Sequence, residues 1–540
     1  MAVLMRSARS KSIQMDAWTT PGSLFISLRN IYQWIRSTQN MNNVKRASIF
    51  FDTSHLDKDL KKRSLQGGAV TVLAKGVQLL IQLGSTMVLA RILTPGDYGI
   101  MAMVMAVGGM AGLFQNLGLS TATIQQADIN HAQVSTLFWI NASMGFLLML
   151  LMAGLSPVVA WFYAAPELAF VTLALSVNFL LDGLTVQHDA LLNRQMRFFS
   201  LAAIQVLSML AGILVAIFAA MNGFGYWALV LNSIVNTICS VSGKLLIVKW
   251  IPGLPKRGVG VGSMIKFGAD LVGFNIVNYF SRNLDNVLIG RFHGSGPLGM
   301  YSKAYQLLMM PITNLRDPMT RVAMPALSRL QNEPENYRNY YMKFVSILAF
   351  ISMPLVAFLF VCSDQLINII LGPQWMEASA FFKILAVVAF IHPVSTTWGL
   401  VLISTGRSRR YLKWGIVNSI VIVISFAIGV FWGAKGVAIA YVFATYLLLY
   451  PTLRYSFKNT PVKVKDFIIS VWKPMIASIL IGVICFFILN IFQGYNDLLL
   501  IIICFFSILI IYPVVLLLIS GGLHNIREYY QYFRLILLNK

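Results

Sequence analysis

Long apolar segments separated by short polar turns follow one another from residue 67 to residue 520. Each segment has the length that an α-helix needs to cross a bilayer. Gly, Pro, Asn and Asp mark most of the connections, as in Thr94–Asp97 and Asn222-Gly223. The pattern predicts fourteen transmembrane helices, at about 67–93, 98–119, 134–161, 168–189, 200–220, 224–245, 263–292, 298–325, 341–362, 379–403, 412–432, 435–453, 467–491 and 498–520.

Two of these apolar segments carry a stripe of polar residues at helical spacing. At 100° per residue, each stripe falls within an arc of roughly 100° on one helix face. Polar groups at bilayer depth are costly unless they face protein or water, so both faces are predicted to line an interior cavity. The first stripe is Lys75, Gln78, Gln82, Ser85 and Thr86, and the second is Asn275, Asn278, Arg282, Asp285 and Asn286.

The two stripes are 200 positions apart, and the sequence around them repeats. Identical residues include the pairs Arg91/Arg291 and Gly99/Gly299. Six helices separate the matching segments, so the two halves run in the same direction, related by an axis along the membrane normal. We therefore predict two pseudo-symmetric six-helix bundles around a central cavity, followed by two C-terminal helices. The predicted units are an N-terminal tail (1–64), a first bundle (65–246), a loop (247–262), a second bundle (263–455), helices 13 and 14 (456–520) and a C-terminal tail (521–540).

Composition and charge support an all-α polytopic membrane protein. The chain is 57% hydrophobic and only 11% charged, with a mean hydropathy of +0.72. The net charge of +23 reflects topology rather than nucleic-acid binding, because the tails and loops on one side collect 32 of the 42 Lys and Arg residues. The positive-inside rule then places both termini in the cytoplasm.

Several local motifs resemble one family of bacterial membrane proteins. The run Leu89–Gly99 resembles the first-helix signature of polysaccharide exporters, and the segments 116–119, 124–126, 135–141, 193–198, 324–329 and 371–375 are also similar. The family is the Wzx-type polysaccharide transporters of the multidrug/oligosaccharidyl-lipid/polysaccharide flippase superfamily, in particular its colanic-acid and teichuronic-acid exporter branch. The resemblance implies transport of an undecaprenyl-diphosphate-linked oligosaccharide across the bacterial cytoplasmic membrane by alternating access, for cell-surface polysaccharide synthesis.

A diphosphate cargo needs cations in a wet cavity, and a glycan needs partners for its hydroxyl groups. The candidate substrate-binding residues are Lys75, Gln78, Gln82, Arg91, Asn275, Asn278, Arg282, Asp285, Arg291 and Lys303. Arg282 and Asp285 are also spaced to pair with each other. Arg91 and Arg291 end their helices, where they can instead reach lipid headgroups.

Acidic residues in one helix suggest coupling to an ion. Asp182, His188 and Asp189 cluster near the end of the fourth predicted helix, and a seven-residue spacing puts the two aspartates on one face. Such a group can relay H⁺ or bind Na⁺. Helix capping and solvation at the membrane surface remain the alternative.

Enzyme functions find little support in the sequence. Phosphate-cradling loops, zinc-protease motifs and Cys-x-x-Cys pairs are absent, so we expect no catalytic residues, no metal site and no cofactor. The rival functions are a multidrug cation antiporter of the same superfamily and, less favoured, a membrane polysaccharide polymerase. The expected partners are the lipid-linked oligosaccharide, membrane lipids and the polysaccharide polymerase or export machinery.

Overall fold

A computed structural model describes residues 60–115, 118–126, 129–256, 258, 279, 282–492 and 494–520. Within these ranges the chain forms helices and turns, with no strand. The predicted C-terminal tail lies outside the described residues, as does the N-terminal tail except for residues 60–64. Those residues are helical, so the first helix begins at Leu60.

The described helices follow the predicted order. Their bounds are α1 Leu60–Ile92, α2 Pro95–Gln115, α3 Leu119–Gln125, α4 His131–Tyr163, α5 Glu167–Gly183, α6 Val186–Arg194, α7 Phe198–Met221, α8 Trp227–Val248, α9 282–293, α10 Ser295–Arg329, α11 Pro334–Val361, α12 Ser363–Ile370, α13 Met376–Ser395, α14 Trp398–Ser404, α15 Ser408–Gly429, α16 Gly433–Phe457, α17 Val464–Ile491 and α18 Asp497–Ser520. Two short 3₁₀ helices, Pro373–Trp375 and Val430–Trp432, precede α13 and α16.

Ten stretches of the described chain are long and apolar enough to cross a membrane, or eleven if the bent pair α5 and α6 is one span. One of the ten, Ser408–Phe457, contains both α15 and α16, which pack against each other. Helix α10 is not among them and carries five charged side chains. The count of fourteen spans stays a prediction, because most of residues 259–281 lie outside the described ranges.

Large apolar side chains cover the outside of the helices. Phe218, Phe431, Leu447 and Leu518 are each more than two-thirds exposed. A soluble protein would bury such a surface, whereas lipid tails cover it without cost. This exposed apolar surface, together with the number of apolar spans, identifies a multi-pass membrane protein.

The fourth predicted helix is broken. Instead of one continuous helix over 168–189, α5 ends at Gly183 and α6 begins at Val186, with a bend of 41°. At the break, Gly183 packs against the backbone of α4, where a Cβ at Gly183 would lie 2.8 Å from the Asn141 carbonyl oxygen. Asp182 and Asp189 therefore stand on different helices and do not share one helix face.

The two halves of the chain meet through a reciprocal glycine contact between α2 and α10. A Cβ at Gly99 would lie 1.8 Å from the carbonyl oxygen of Ser295, and a Cβ at Gly299 would lie 1.8 Å from that of Pro95. The residues in each contact correspond under the shift of 200 positions. Only glycine permits backbones to approach this closely.

The end of α1 is held by α12 and the loop that precedes α13, in a contact that we call the α1 latch. Trp375 Nε1 donates to the Ala90 carbonyl oxygen at 2.8 Å, and Gln374 Nε2 donates to that of Leu93 at 3.1 Å. Arg91 Nη2 donates to the Ile369 carbonyl oxygen at 3.1 Å. The latch joins residues that lie between 278 and 285 positions apart in the chain.

The loop after α8 is fixed to the start of α4. Trp139 Nε1 donates to the Gly253 carbonyl oxygen at 2.9 Å, and the Gly253 amide donates to Ser135 Oγ at 2.9 Å. The Lys256 amide donates to Thr136 Oγ1 at 3.1 Å. The motif at 135–139, which the resemblance includes, thus holds the described part of the loop between the halves.

The last two helices attach to α11. The Arg338 guanidinium makes a two-pronged ion pair with Asp466 at the start of α17, with Nε and Oδ2 2.8 Å apart. Asp466 is fully buried, so this pair sets the position of α17. Cys362, Cys485 and Cys504 are buried with apolar side chains where α17 and α18 pack.

Candidate functional site: two polar cavities

The first cavity, which we call the amide cavity, has a volume of about 570 Å³. It is bounded by α1, α2, α5, α7, α8 and α10, so both halves of the chain contribute to it. Amides and hydroxyl groups dominate its polar lining. The polar residues that line it are Lys75, Gln78, Gln82, Ser85, Thr86, Tyr98, Asp182, Gln205, Asn232, Asn236, Thr237, Ser240, Lys303 and Gln306.

All five residues of the first predicted stripe line this cavity. Within it, Lys75 Nζ donates to Gln78 Oε1 at 3.1 Å, and Gln78 Nε2 donates to Gln205 Oε1 at 3.0 Å. Helix α1 packs on α7, which brings Gln205 to this position. The prediction that the polar face of α1 lines a cavity is confirmed, while contact of these residues with a substrate stays a prediction.

The wall formed by α8 was missed by the sequence analysis. Asn232, Asn236 and Ser240 follow one another at intervals of four, so they lie on one face of the helix. The signal was present in the sequence, in a segment otherwise rich in Leu, Val and Ile. Asn232 and Asn236 add four donors and two acceptors in total to the lining.

Lys303 enters the amide cavity from α10. Its Nζ donates to Gln306 Oε1 at 3.1 Å and lies 4.1 Å from the centre of the Tyr98 ring. An ammonium over an aromatic ring is held by a cation–π interaction. The structure thus brings Lys303 and Lys75, predicted separately, into one cavity.

The three candidate ion-coupling residues have different surroundings. Asp182 lines the amide cavity. Asp189 is 2.7 Å from Lys244 Nζ in an ion pair. His188 is 1% exposed and packs edge-on against Trp250 and Phe138.

The second cavity, which we call the arginine cavity, lies within the second half and has a volume of about 760 Å³. Arg282, Arg316 and Arg321 line it together with Asp285 and Asp317. Arg316 and Arg321 are not among the substrate-binding residues predicted above. Further polar or aromatic residues of the lining are Tyr305, Thr320, His392, Thr396, Thr397, Trp398, Tyr411, Asn418, Ser419, Tyr441, Thr445 and Thr452.

Arg282 and Asp285 take different roles in this cavity. Asp285 is 5% exposed and accepts a hydrogen bond from the Tyr301 hydroxyl at 2.7 Å. Arg282 is exposed, and among the described residues no ion pair joins Arg282 to Asp285. Arg316, by contrast, pairs with Asp317 at 2.8 Å.

Two of the predicted substrate-binding residues that the structure describes, Arg91 and Arg291, line neither cavity. Arg91 belongs to the α1 latch, and the Arg291 guanidinium lies 5.8 Å from the centre of the Phe162 ring. Both side chains therefore bind protein groups near helix ends. Asn275 and Asn278 lie outside the described residues.

Each cavity has one more cation than it has acids. The amide cavity holds two lysines and one aspartate, and the arginine cavity holds three arginines and two aspartates. Among the described residues, no group of three His, Cys, Asp or Glu side chains is placed to hold a metal ion. Both cavities therefore suit an anionic or polar ligand.

Comparison with known proteins gives a consistent assignment. The sequence profile of a polysaccharide biosynthesis protein family matches residues 88–380, more than half of the chain. The lipopolysaccharide biosynthesis protein WzxC of Escherichia coli (strain K12) is 24% identical over 435 residues, which cover 78% of this chain and 86% of that protein. The teichuronic acid biosynthesis protein TuaB of Bacillus subtilis (strain 168) is 30% identical over 317 residues, which cover 56% of this chain and 63% of that protein.

The fold is also similar to a solved one. The lipid II flippase MurJ in an inward closed conformation superposes with a TM-score of 0.67 at 15% identity, covering 84% of this chain and 98% of that chain. At this identity the likeness concerns the fold alone. Together with the relatives, it confirms the resemblance drawn from the sequence motifs. Because the family profile spans residues 88–380, the chain belongs to the polysaccharide biosynthesis protein family.

Proposed function

We propose that this protein is a flippase that moves an undecaprenyl-diphosphate-linked oligosaccharide from the inner to the outer leaflet of the bacterial cytoplasmic membrane. The observation that carries the proposal is the arginine cavity, where Arg282, Arg316 and Arg321 line a space of about 760 Å³ inside a membrane protein. The family and the relatives named in polysaccharide biosynthesis support it.

The diphosphate is the part of such a cargo that most needs protein. It carries about two negative charges, and an ion of this kind costs several kcal/mol or more to bring into hydrocarbon. The planar guanidinium group donates two parallel hydrogen bonds to phosphate oxygens. Three arginines on α9 and α10 therefore form a suitable diphosphate site, and the amide cavity offers hydrogen bonds for the sugars.

Transport would proceed by alternating access between the two halves, with no bond made or broken in the cargo. The reciprocal contact at Gly99 and Gly299 and the α1 latch lie at the ends of helices that the charge distribution assigns to the outer side. These contacts would separate when the cavities open outward. In this proposal both termini and the loop 247–262 are cytoplasmic, and helices α17 and α18 are appended to two six-helix bundles.

Function can be tested in cells that lack the gene. We expect undecaprenyl-diphosphate oligosaccharide to accumulate in the inner leaflet and the wild-type gene to relieve the accumulation, because the cargo cannot cross unaided. The measurement is leaflet-resolved quantification of the lipid-linked oligosaccharide. An unchanged pool of this intermediate would contradict the flippase and favour a cation antiporter. A polysaccharide polymerase and export machinery would act on the translocated cargo.

Coupling to an ion is assigned to Asp182, the one acidic residue that lines the amide cavity. Changing Asp182 to Asn is expected to abolish the dependence of transport on a proton or sodium gradient, because the amide neither releases a proton nor carries a charge. The measurement is transport into vesicles with imposed gradients. Asp189→Asn, which removes the partner of Lys244, serves as the comparison. Gradient dependence that survives in Asp182→Asn would remove this residue from the mechanism.

A further inference from the structure

Three of the four cysteines of the chain meet where α11, α17 and α18 pack together. We propose that Cys362 and Cys504 form a reversible disulfide bond that keeps the α1 latch closed and stops transport. The inference goes beyond the proposed function, from which it takes only the orientation of the chain and the transport assay. The evidence is the contact between the thiols, their depth in the membrane and the position of Cys362 at the start of α12.

The thiol groups are already close together. The Cys504 thiol lies within hydrogen-bonding reach of the thiols of Cys362 and Cys485. Cys485 Sγ also donates to the backbone carbonyl oxygen of Cys504 at 3.9 Å, so it is directed toward the backbone of α18. We therefore assign the disulfide bond to Cys362 and Cys504.

The cluster lies toward the outer side of the membrane. Cys504 is seven residues after the start of α18 and Cys485 is six residues before the end of α17, a depth of about 10 Å at 1.5 Å per residue. Cys362 directly follows the end of α11. In the orientation proposed above, these helix ends point away from the cytoplasm. Disulfide bonds persist on that side of a bacterial membrane, whereas cytoplasmic thiols are kept reduced.

Access to the thiols depends on movement of α18. All three cysteines are completely buried, so an oxidant does not reach them while the helices are packed. Helix α18 is peripheral, with Phe506, Leu509 and Ile510 each more than half exposed. An element with few buried contacts opens locally at low cost. The bond therefore forms when the outer end of α18 separates and packs back.

The reaction is thiol–disulfide exchange with a small disulfide on the outer side. The Cys504 thiol loses its proton, and its sulfur attacks one sulfur of the oxidant and releases the other as a thiolate. When α18 packs again, the Cys362 sulfur loses its proton and displaces the remaining half of the oxidant. The two cysteines lose two electrons and two protons, and the oxidant gains them as two thiols. A reductant reverses both steps.

Helix α12 connects the thiol cluster to the α1 latch. Cys362 directly precedes α12, and the Ile369 carbonyl oxygen near the other end of this helix belongs to the latch. Asn368 Nδ2 donates to Asp497 Oδ2 at 2.6 Å, which already joins α12 to the start of α18. A covalent bond between Cys362 and Cys504 would hold α12 against α18 and oppose the movement that releases the latch.

The first test asks whether the bond forms. Purified full-length protein in proteoliposomes is oxidised with 2,2′-dithiodipyridine, a small apolar disulfide, then digested without reduction and analysed by mass spectrometry. We expect a cross-linked pair of peptides that contain Cys362 and Cys504. A bond between Cys485 and Cys504 would overturn the assignment, and so would the absence of any bond.

The second test measures the effect on transport. Oxidation is expected to slow translocation of an undecaprenyl-diphosphate oligosaccharide by about tenfold or more, and dithiothreitol to restore the rate in the same sample. Tenfold corresponds to about 1.4 kcal/mol, less than the restraint that a disulfide bond typically supplies. Because the wild type is its own control, this measurement requires no variant.

Substitutions identify the cysteines that respond. Cys362→Ala and Cys504→Ala should transport at nearly the wild-type rate and no longer respond to the oxidant. Cys485→Ala is the matched control, because it removes a thiol from the same apolar cluster and leaves the proposed bond intact. We expect this control to be slowed by oxidation as the wild type is.

Three results would overturn the inference. An unchanged transport rate after the bond has formed would refute its control of the α1 latch. A Cys362→Ala variant that is slowed as much as the wild type would show that another cysteine is responsible. Absence of transport by the reduced wild type would refute the proposed function and with it the control of transport, whatever bond the peptides show.

Discussion

Replacing Arg282 and Arg316 together with glutamine is expected to slow translocation of an undecaprenyl-diphosphate oligosaccharide by about 10²- to 10⁴-fold. Each charge-assisted hydrogen bond contributes about 1.5–3 kcal/mol, and 1.4 kcal/mol corresponds to a factor of ten. Both arginines line the arginine cavity, and two lost contacts multiply. The measurement is the initial rate of leaflet exchange of a fluorescent cargo in proteoliposomes, at matched protein content.

Two further variants make this result specific. Arg291→Gln removes the same charge from the same helix, nine residues beyond Arg282, but its side chain stacks on Phe162 outside the cavities. It should transport at nearly the wild-type rate. Arg282→Lys keeps the charge and loses the planar fork, so an intermediate rate is expected. A double glutamine variant that transports like the wild type would exclude the arginine cavity as the diphosphate site.

Introducing a single methyl group at Gly99 or Gly299 is expected to destabilise the whole protein. Each new Cβ would lie 1.8 Å from a carbonyl oxygen of the other half, and backbone atoms cannot turn away as a side chain can. Either Gly99→Ala or Gly299→Ala must push α2 and α10 apart. Overpacking of this kind typically lowers the free energy of unfolding by about 1–3 kcal/mol or more. The measurement is the thermal unfolding midpoint of the purified protein in detergent.

The chain provides its own controls for this contact. Gly96 and Gly296 lie three residues before each glycine, at equivalent places in the repeat. A Cβ at Gly96 would meet its nearest neighbours at 3.6 Å, and one at Gly296 would meet nothing within 4 Å. Gly96→Ala and Gly296→Ala should therefore leave the midpoint nearly unchanged. Equal midpoints for all four variants would show that the helices separate without cost.

The double variant adds a second criterion. Gly99→Ala and Gly299→Ala act on one contact, so the first separation of the helices relieves part of the second clash. Their combined effect should be smaller than the sum of the two single effects. Additive changes would indicate two independent contacts.

Much of the fold follows from the sequence because lipid imposes a simple rule on each helix. Apolar stretches of spanning length and polar turns predict the order of the helices, since backbone groups in hydrocarbon must be satisfied within the helix. The same rule makes the polar face of α1 a reliable guide to a cavity. Lys75, Gln78 and Gln82 were predicted on this ground, and they line the amide cavity.

The predictions fail where a contact depends on residues far apart in the chain. The break between α5 and α6 occurs where Gly183 meets α4. The turn itself contains no proline or charged residue from which the break could be predicted. The position of Arg91 is set by the Ile369 carbonyl oxygen, 278 residues away. Arg316 and Arg321 were not predicted, because position along the chain does not reveal that α10 turns them toward a cavity.

Two copies of one half could pair through the contact that joins α2 to α10. In a two-fold dimer, residue i of the first subunit contacts residue j of the second, and residue j of the first subunit contacts residue i of the second. Gly99 against Ser295 and Gly299 against Pro95 follow that rule within one chain. A shorter protein with one such glycine would reproduce the arrangement as a homodimer with two identical cavities. When the two copies are joined in one chain, their sequences can change independently. One cavity can then acquire amides and lysines while the other acquires arginines.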